Sequence, residues 1–314
     1  MVDSALSALV CPNCHGALSA QGDALTCSHD GAVFDRDACG YLDFTPAGKH
    51  EHVETTTEEY ADEQRAHWRR FYDAFLAPWL QRENAERILE IGCGVGMGIR
   101  FACEEGKEAY GIDLPCLSPF WAKVENDPAS FFLAEGARLP FPDDYFDALY
   151  CLGVIEHVGT LVGHYTLADD DWDQRVAFAR ELLRVTKPGG RLLITCPNRR
   201  FPIDIHHEPT DDATSPGTMR FRRWFYRRFG MTLHWPFGRY HLFSLGDLRR
   251  LFVTECGADS ATPLPLLHYF AFHRMGSLPG VRFIKGLAAS YITHIPRPLR
   301  GTCFDPFLVV EIRR

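Results

Sequence analysis

Four glycines at alternate positions, placed directly behind a short apolar run, constrain this chain more than any other feature. Ile88-Leu89-Glu90-Ile91-Gly92-Cys93-Gly94-Val95-Gly96-Met97-Gly98 carries a strand past an acidic residue and turns the backbone into a helix. Glycine suits such a turn because the chain must open its backbone angles and let a ligand approach within contact distance. The dinucleotide fingerprint G-x-G-x-x-G requires a third glycine at position 97 or 99, and these are Met97 and Ile99. No phosphate-binding Lys follows the glycines, so a phosphate-cradling loop is excluded as well. A second acid, Asp113, ends the next predicted strand, where a carboxylate can accept hydrogen bonds from ribose hydroxyls.

Around this turn the pattern alternates. Strands are predicted at Arg87–Ile91, Ala109–Leu114, Ser130–Ala134, Phe146–Leu152 and Gly190–Cys196, with helices at Met97–Glu105 and Arg175–Val185. Alternating strands and helices predict an α/β domain, a parallel sheet covered by helices on both faces. Before it, Trp68, Phe71, Tyr72, Phe75, Leu76 and Trp79 recur at three- and four-residue steps, predicting a helix with a broad aromatic face whose end is disturbed by Pro78.

The glycine spacing and the segments after it resemble the class I S-adenosylmethionine-dependent methyltransferases over residues 86–198. Glu90-x-Gly92-x-Gly94-x-Gly96 is similar to the family's first motif and Asp113 to its ribose acid. Ala134-Glu135-Gly136-Ala137-Arg138-Leu139-Pro140-Phe141 resembles the third element, with Glu135 in place of the usual Asp facing the adenine amino group. Phe146–Val158, with Glu156-His157-Val158, resembles the fourth strand and the turn behind it, and Lys187-Pro188-Gly189-Gly190 the loop before strand five. The resemblance implies a Rossmann-like, seven-stranded, mostly parallel sheet that binds S-adenosylmethionine. Its cofactor-binding residues would be Glu90, Gly92, Gly94, Gly96, Asp113, Glu135, Gly136, Ala137, Cys151 and Leu152. The cofactor carries an ammonium, a carboxylate and a sulfonium, so acids and backbone groups suit it better than a phosphate cradle.

Four of the eleven Cys fall in the first 39 residues. Cys11-Pro-Asn-Cys14 forms a knuckle that aims two thiolates at one point, and Cys27 adds a third; zinc needs four such donors in a tetrahedron. His29 is the expected fourth ligand, with Asp30 or Cys39 as alternatives. A segment this short cannot build a sufficient core alone, which favours a structural Zn2+. The expected organisation is a zinc-ribbon-like segment over 1–46, a helical linker over 47–84, and a methyltransferase domain over 85–314.

The chain's net charge of -8 hides a division. Residues 1–198 carry 16 Lys/Arg against 32 Asp/Glu, whereas residues 199–314 carry 17 against 9. The basic third holds two excursions, near 199–240 and 264–301, where these enzymes insert a substrate cap. His157, His206, His207 and His241 are the candidates for a catalytic base or an acceptor-binding role. Adjacent His206 and His207 on a strand would point to opposite faces, which argues against their sharing a metal. Arginines mixed with aromatics suit an anionic or lipid-like acceptor and a peripheral membrane contact. No apolar stretch reaches the ~20 residues a membrane span needs, and Met1–Val10 lacks the character of a signal peptide, which predicts a cytoplasmic protein.

Two functions follow as expectations. The body after strand four is similar to ubiquinone-pathway and natural-product methyltransferases, which implies a small-molecule acceptor. The N-terminal segment, with Phe34-Asp35 and Gly40-Tyr41, resembles the zinc ribbon of bacterial rRNA guanine methyltransferases, which implies an RNA base instead; the acidic first two thirds of the chain is a poor surface for nucleic acid.

Overall fold

The computed structural model describes residues 8–46, 58–82, 84–161, 166–204, 207, 209, 216–233, 240–266, 287, 290–292 and 294–314. Its order begins with three short strands, β1 (Leu18–Gln21), β2 (Ala24–Cys27) and β3 (Val33–Phe34), followed by helices α1 (Glu58–Phe71) and α2 (Ala77–Arg82). The next elements are β4 (Arg87–Ile91), α3 (Met97–Glu104), β5 (Glu108–Asp113), α4 (Ser118–Lys123), β6 (Phe131–Leu133) and β7 (Phe146–Leu152). After these come α5 (Asp171–Val185), β8 (Thr186–Pro197), β9 (Ile203–Asp204), α6 (Pro216–Phe229) and β10 (Thr232–Leu233). The chain closes with α7 (Leu245–Arg249), β11 (Ser260–Pro263) and β12 (Phe307–Arg313). Seven strands form one sheet in the order β11-β12-β8-β7-β4-β5-β6. This is the α/β fold that the alternating pattern predicts, in the seven-stranded, Rossmann-like form that the resemblance implies, with parallel pairing of β4 with β5, β4 with β7 and β5 with β6. None of the helices among the described residues is long and apolar enough to cross a membrane.

The chain divides into two compact units: Met1–Cys151 with Ala177–Leu192 and Arg313–Arg314, and Leu152–Val176 with Leu193–Ile312. In the first unit, β4 buries four consecutive residues from Ile88 to Ile91, as a strand covered on both faces must. An aromatic core forms beside it, where Phe141 meets Phe146 at 4.9 Å and Phe132 at 5.7 Å between ring centroids. Asp147 fixes the start of β4 by accepting from the backbone N–H groups of Glu86 and Arg87 at 3.1 and 2.8 Å.

Behind α1, residues Tyr72–Leu76 widen into a π-helical turn in which Ala77 N–H reaches back to the Tyr72 carbonyl. Pro78 has no N–H to offer the carbonyl of Ala74, which explains why the regular ladder is interrupted here. The ribbon packs on its own unit's sheet. Leu133 N–H donates to Leu42 O at 2.9 Å and Phe44 N–H to Leu133 O at 2.7 Å, so residues 42–44 extend the edge beside β6.

The second unit is organised by two buried arginines. Arg222 donates to Leu233 O and to the Tyr240 hydroxyl at 2.9 and 3.1 Å, joining α6 to the segment behind β10. Arg175 donates to Val158 O and His241 O at 3.1 and 2.9 Å, and lies 4.4 Å over the Phe243 ring. A planar fork with five donors can tie loops together in this way, whereas an ammonium could not.

Candidate active site

The glycine turn leaves β4 at its carboxyl end, between β7 on one side and β5 on the other. Ligands of open α/β sheets bind at such points, where successive connections leave in opposite directions. Gly92, Gly94 and Gly96 all take positive φ, at 70°, 55° and 78°. At Gly96 space is decisive too: a Cβ would fall 2.4 Å from Phe131 Cε1 and 2.6 Å from Asn126 Nδ2. The turn is held by side chains beyond it. Trp121 Nε1 donates to Gly94 O at 2.7 Å, Asn126 Nδ2 to Val95 O at 3.1 Å, and Gly94 N–H to Asp113 Oδ2 at 2.7 Å.

Asp113 accepts a second backbone bond from Leu114 N–H, yet burial outweighs both donors and pushes its pKa up to about 6. Glu90 is 1% exposed, and burial raises its pKa well above the ordinary carboxylate value, assisted by the Asp113 charge and opposed by the Tyr150 hydroxyl. That hydroxyl donates to Glu90 Oε2 at 3.2 Å, while Oε1 has no hydrogen-bond partner among the described residues. An unsatisfied buried carboxylate oxygen costs free energy unless something cationic or protic meets it. The donor set therefore fits a ligand with an ammonium and a ribose, as S-adenosylmethionine has.

The remaining expected cofactor residues stand on the neighbouring strand ends. Cys151 is fully buried and paired in register with Ile91. Ala134 N–H donates to Asp113 O, which brings the Glu135-Gly136-Ala137 turn to the end of β5. A Cβ on Gly136 would fall 2.3 Å from Phe178, so that turn also needs glycine. Leu152 ends β7 as the first residue of the second unit. Trp121, Asn126 and Tyr150 support the site without any spacing that marks them in the sequence. Trp68 is one face of the predicted aromatic helix; a Cβ on Gly98 would lie 2.9 Å from both its Cζ3 and Glu90 Oε2.

In the second unit, three of the four candidate histidines come together, and His206 lies outside the described residues. The His207 ring is 5.6 Å from that of His157 and 5.0 Å from that of His241. His207 Nδ1 is 2.7 Å from Asp204 Oδ2, a carboxylate three residues earlier that the sequence analysis passes over. Burial works against protonation of His207, but Asp204 and Glu156 prevail and raise its pKa. Glu156 is 2% exposed, and burial lifts its pKa to about 7 despite the counteracting charges of His207 and Arg175.

Within the ribbon, Cys11, Cys14 and Cys27 come together with Asp30, their ligand atoms all within 4.8 Å of one another. Among the described residues the group takes Asp30 where the sequence favours His29. Backbone N–H groups of His29 and Asp30 point at Cys27 Sγ from 3.4 and 3.5 Å, turning residue 29 into part of the knuckle's backbone while Asp30 Oδ2 lies 3.4 Å from Cys11 Sγ. Burial pushes the Cys11 thiol up to about 12, and Asp30 is lowered to about 2, first by the Ala32 N–H. Three sulfurs and a carboxylate are a donor set that zinc accepts.

Comparison with known proteins places these observations. Residues 89–194 match the family model described as a methyltransferase domain. Tocopherol O-methyltransferase of Arabidopsis thaliana is 31% identical over 124 residues, 36% of this chain and 31% of that protein. Demethylmenaquinone methyltransferase of Tropheryma whipplei is 30% identical over 137 residues, covering 42% and 48%. Probable tRNA methyltransferase 9B of Homo sapiens is 26% identical over 146 residues, covering 46% and 28%. The chain thus spans less than half the length of these relatives. Residues 89–194, which carry the glycine turn and its acids at the centre of the sheet, are thus similar to a methyltransferase domain.

Proposed function

We propose that the protein transfers the methyl group of S-adenosylmethionine to a small-molecule acceptor. The observation that carries this reading is Glu90, a carboxylate buried near the end of β4, just before the glycine turn, with one oxygen unpartnered among the described residues, and with Asp113 at the next strand end. Glu90 would meet the ammonium of the cofactor, Asp113 its ribose hydroxyls and Glu135 its adenine amino group. Gly92, Gly94, Gly96, Gly136 and Ala137 would leave room for its backbone-side approach, and Cys151 and Leu152 would line it. When bound, the cofactor supplies a methyl group on a sulfonium, already a good leaving group, so the protein's task is positioning and exclusion of water.

The acceptor-side groups in this reading are those buried together in the second unit: His157, His207 and His241, with Glu156 and Asp204; His206 remains a candidate by sequence. An acceptor whose nucleophilic atom carries a proton must lose it, and these titratable groups are the candidates to take it. A cavity of about 180 Å3 in the same unit, lined by Arg175, Arg199, Arg250, Asp171, Asp247 and Trp172 among others, suits a polar and partly aromatic acceptor. Zn2+ on Cys11, Cys14, Cys27 and Asp30 is proposed as a structural ion that ties the ribbon's hairpins together.

Calorimetry with S-adenosylhomocysteine tests the cofactor assignment: saturable one-to-one binding is expected, and its absence overturns the reading. RNA methylation is the second reading, favoured by the ribbon. It predicts retention on RNA with affinity falling steeply as salt rises; the small-molecule reading predicts no retention at moderate salt.

A further inference from the structure

The buried acceptor-side group of the second unit also contains a ligand set of its own. Glu156 sits on the short 3-10 turn Ile155–His157 behind β7, and His207 lies fifty residues later, three positions past Asp204 on β9. Glu156, His157 and His207 each offer one ligand atom, and these atoms all lie within 4.8 Å of one another. We propose that Glu156, His157 and His207 form a binding site for a divalent transition-metal cation, separate from the cysteine group of the ribbon.

Three observations carry it. First, the donor set is two imidazoles and one carboxylate, which takes zinc, iron, cobalt or manganese and is a poor match for calcium or magnesium, ions that prefer all-oxygen shells. Second, Glu156 is buried to 2% exposure, and its Oε2 has no hydrogen-bond partner among the described residues. A buried carboxylate oxygen in that state is compensated by a cation more fully than by any neutral group. Third, His207 is already oriented as a metal-binding histidine is: Nδ1 lies 2.7 Å from Asp204 Oδ2, itself fully buried, and the Thr232 hydroxyl donates to the His207 carbonyl at 2.5 Å. A carboxylate that accepts the Nδ1 proton fixes the tautomer with Nε2 as the ligand nitrogen and raises its basicity. Asp204 is then a positioning residue, acting through His207. His241 packs its ring 5.0 Å from that of His207 and supplies a wall on this side.

Three protein ligands leave coordination positions for a further oxygen or nitrogen donor. A hydroxyl or enolate oxygen of the acceptor is the ligand class this would take, and this assignment of a role rests on the proposed methyl transfer. Binding of the cation does not, so the two can fail separately.

The test is a Co2+ titration of the full chain after chelation, followed by optical absorption. The cysteine group gives intense sulfur-to-cobalt charge-transfer bands, whereas a nitrogen–oxygen site gives only weak visible d–d bands. In the Cys14→Ser background, the proposal expects about one Co2+ per chain with d–d bands and no strong charge transfer. Asp204→Asn in that background should weaken the affinity by about 10- to 100-fold, with Glu156→Gln and His207→Gln weakening it at least as much. Proton NMR of the Co2+-loaded chain gives a measurement that needs no substitution in the cluster: hyperfine-shifted, exchangeable imidazole N–H signals from two histidines. Absence of saturable Co2+ binding in the Cys14→Ser chain, or affinity unmoved by Glu156→Gln and Asp204→Asn in a folded protein, would overturn the site. Loss of S-adenosylhomocysteine binding with Co2+ binding intact would sink the methyl-transfer reading and leave the cation site standing.

Discussion

Glu90 and Glu156 are buried to the same degree, each carries one oxygen without a hydrogen-bond partner among the described residues, and burial lifts the pKa of each. Their surroundings differ in kind. Glu90 belongs to the first unit and is enclosed by glycine backbone, a tyrosine hydroxyl and Trp68, a shell with no positive side chain touching the carboxylate in any described contact. Glu156 belongs to the second unit and faces the charges of His207 and Arg175. A carboxylate kept away from protein cations is suited to a cationic organic ligand, whereas one grouped with imidazoles is suited to a metal ion or a shared proton. The same cost of desolvation thus serves two kinds of recognition, decided by which neighbours the fold supplies.

The largest test of this contrast acts on the first unit alone. Gly96→Val adds a Cβ where Phe131 and Asn126 already stand and forces a β-branched residue to positive φ. It is expected to cost about 3 kcal/mol or more of stability and to abolish S-adenosylhomocysteine binding. Thermal unfolding and calorimetry read both; an unchanged melting temperature would show that the turn is not held as described. A Cys14→Ser substitution comes next. It should remove about one zinc per chain and speed hydrogen exchange across residues 10–44, while a zinc content near zero in the wild type would dismiss the ribbon's metal.

Glu90→Gln and Glu156→Gln set the two acids against each other. Glu90→Gln should weaken cofactor binding by about tenfold or more, as loss of a charged hydrogen-bond partner does, and Glu156→Gln should leave it unchanged. Equal effects of the two would erase the distinction. The smallest effect is in pH. Asp113 accepts more strongly from ribose hydroxyls when it is ionised, so S-adenosylhomocysteine affinity is expected to rise with pH through about 6 and to lose that step in Asp113→Asn. Stability runs the other way at this residue. Its folded pKa lies above the ordinary 3.8, the folded chain binds the proton more tightly, and its ionisation between about pH 4 and 6 opposes folding.

Legibility followed the distance along the chain over which each feature is encoded. Phe146–Leu152 is predicted and observed with the same limits, because a run with five buried residues, four of them consecutive, leaves little choice. The helix expected at Arg175–Val185 begins four residues earlier, at Asp171, where acidic residues favour a helix start that apolar periodicity does not record. The strand expected at Gly190–Cys196 extends to Thr186–Pro197, since strand pairing carries it through the glycines. In the ribbon, three thiols are legible from spacing, but the choice between His29 and Asp30 depends on the direction of a single turn.

By itself the sequence determined the glycine turn, its two acids, the alternation that makes a parallel sheet, and the division between an acidic and a basic part. All of these are local: each lies within one strand, one turn or one stretch of composition. Only the tertiary structure decided that Trp121 and Asn126 hold the turn, that residues 42–44 extend the sheet edge, and that Asp204 stands behind His207. It alone brought Glu156 and His157 to a histidine fifty residues away. Such contacts arise because buried polar groups must find partners wherever packing brings them, and no period or spacing in a single chain encodes who those partners are.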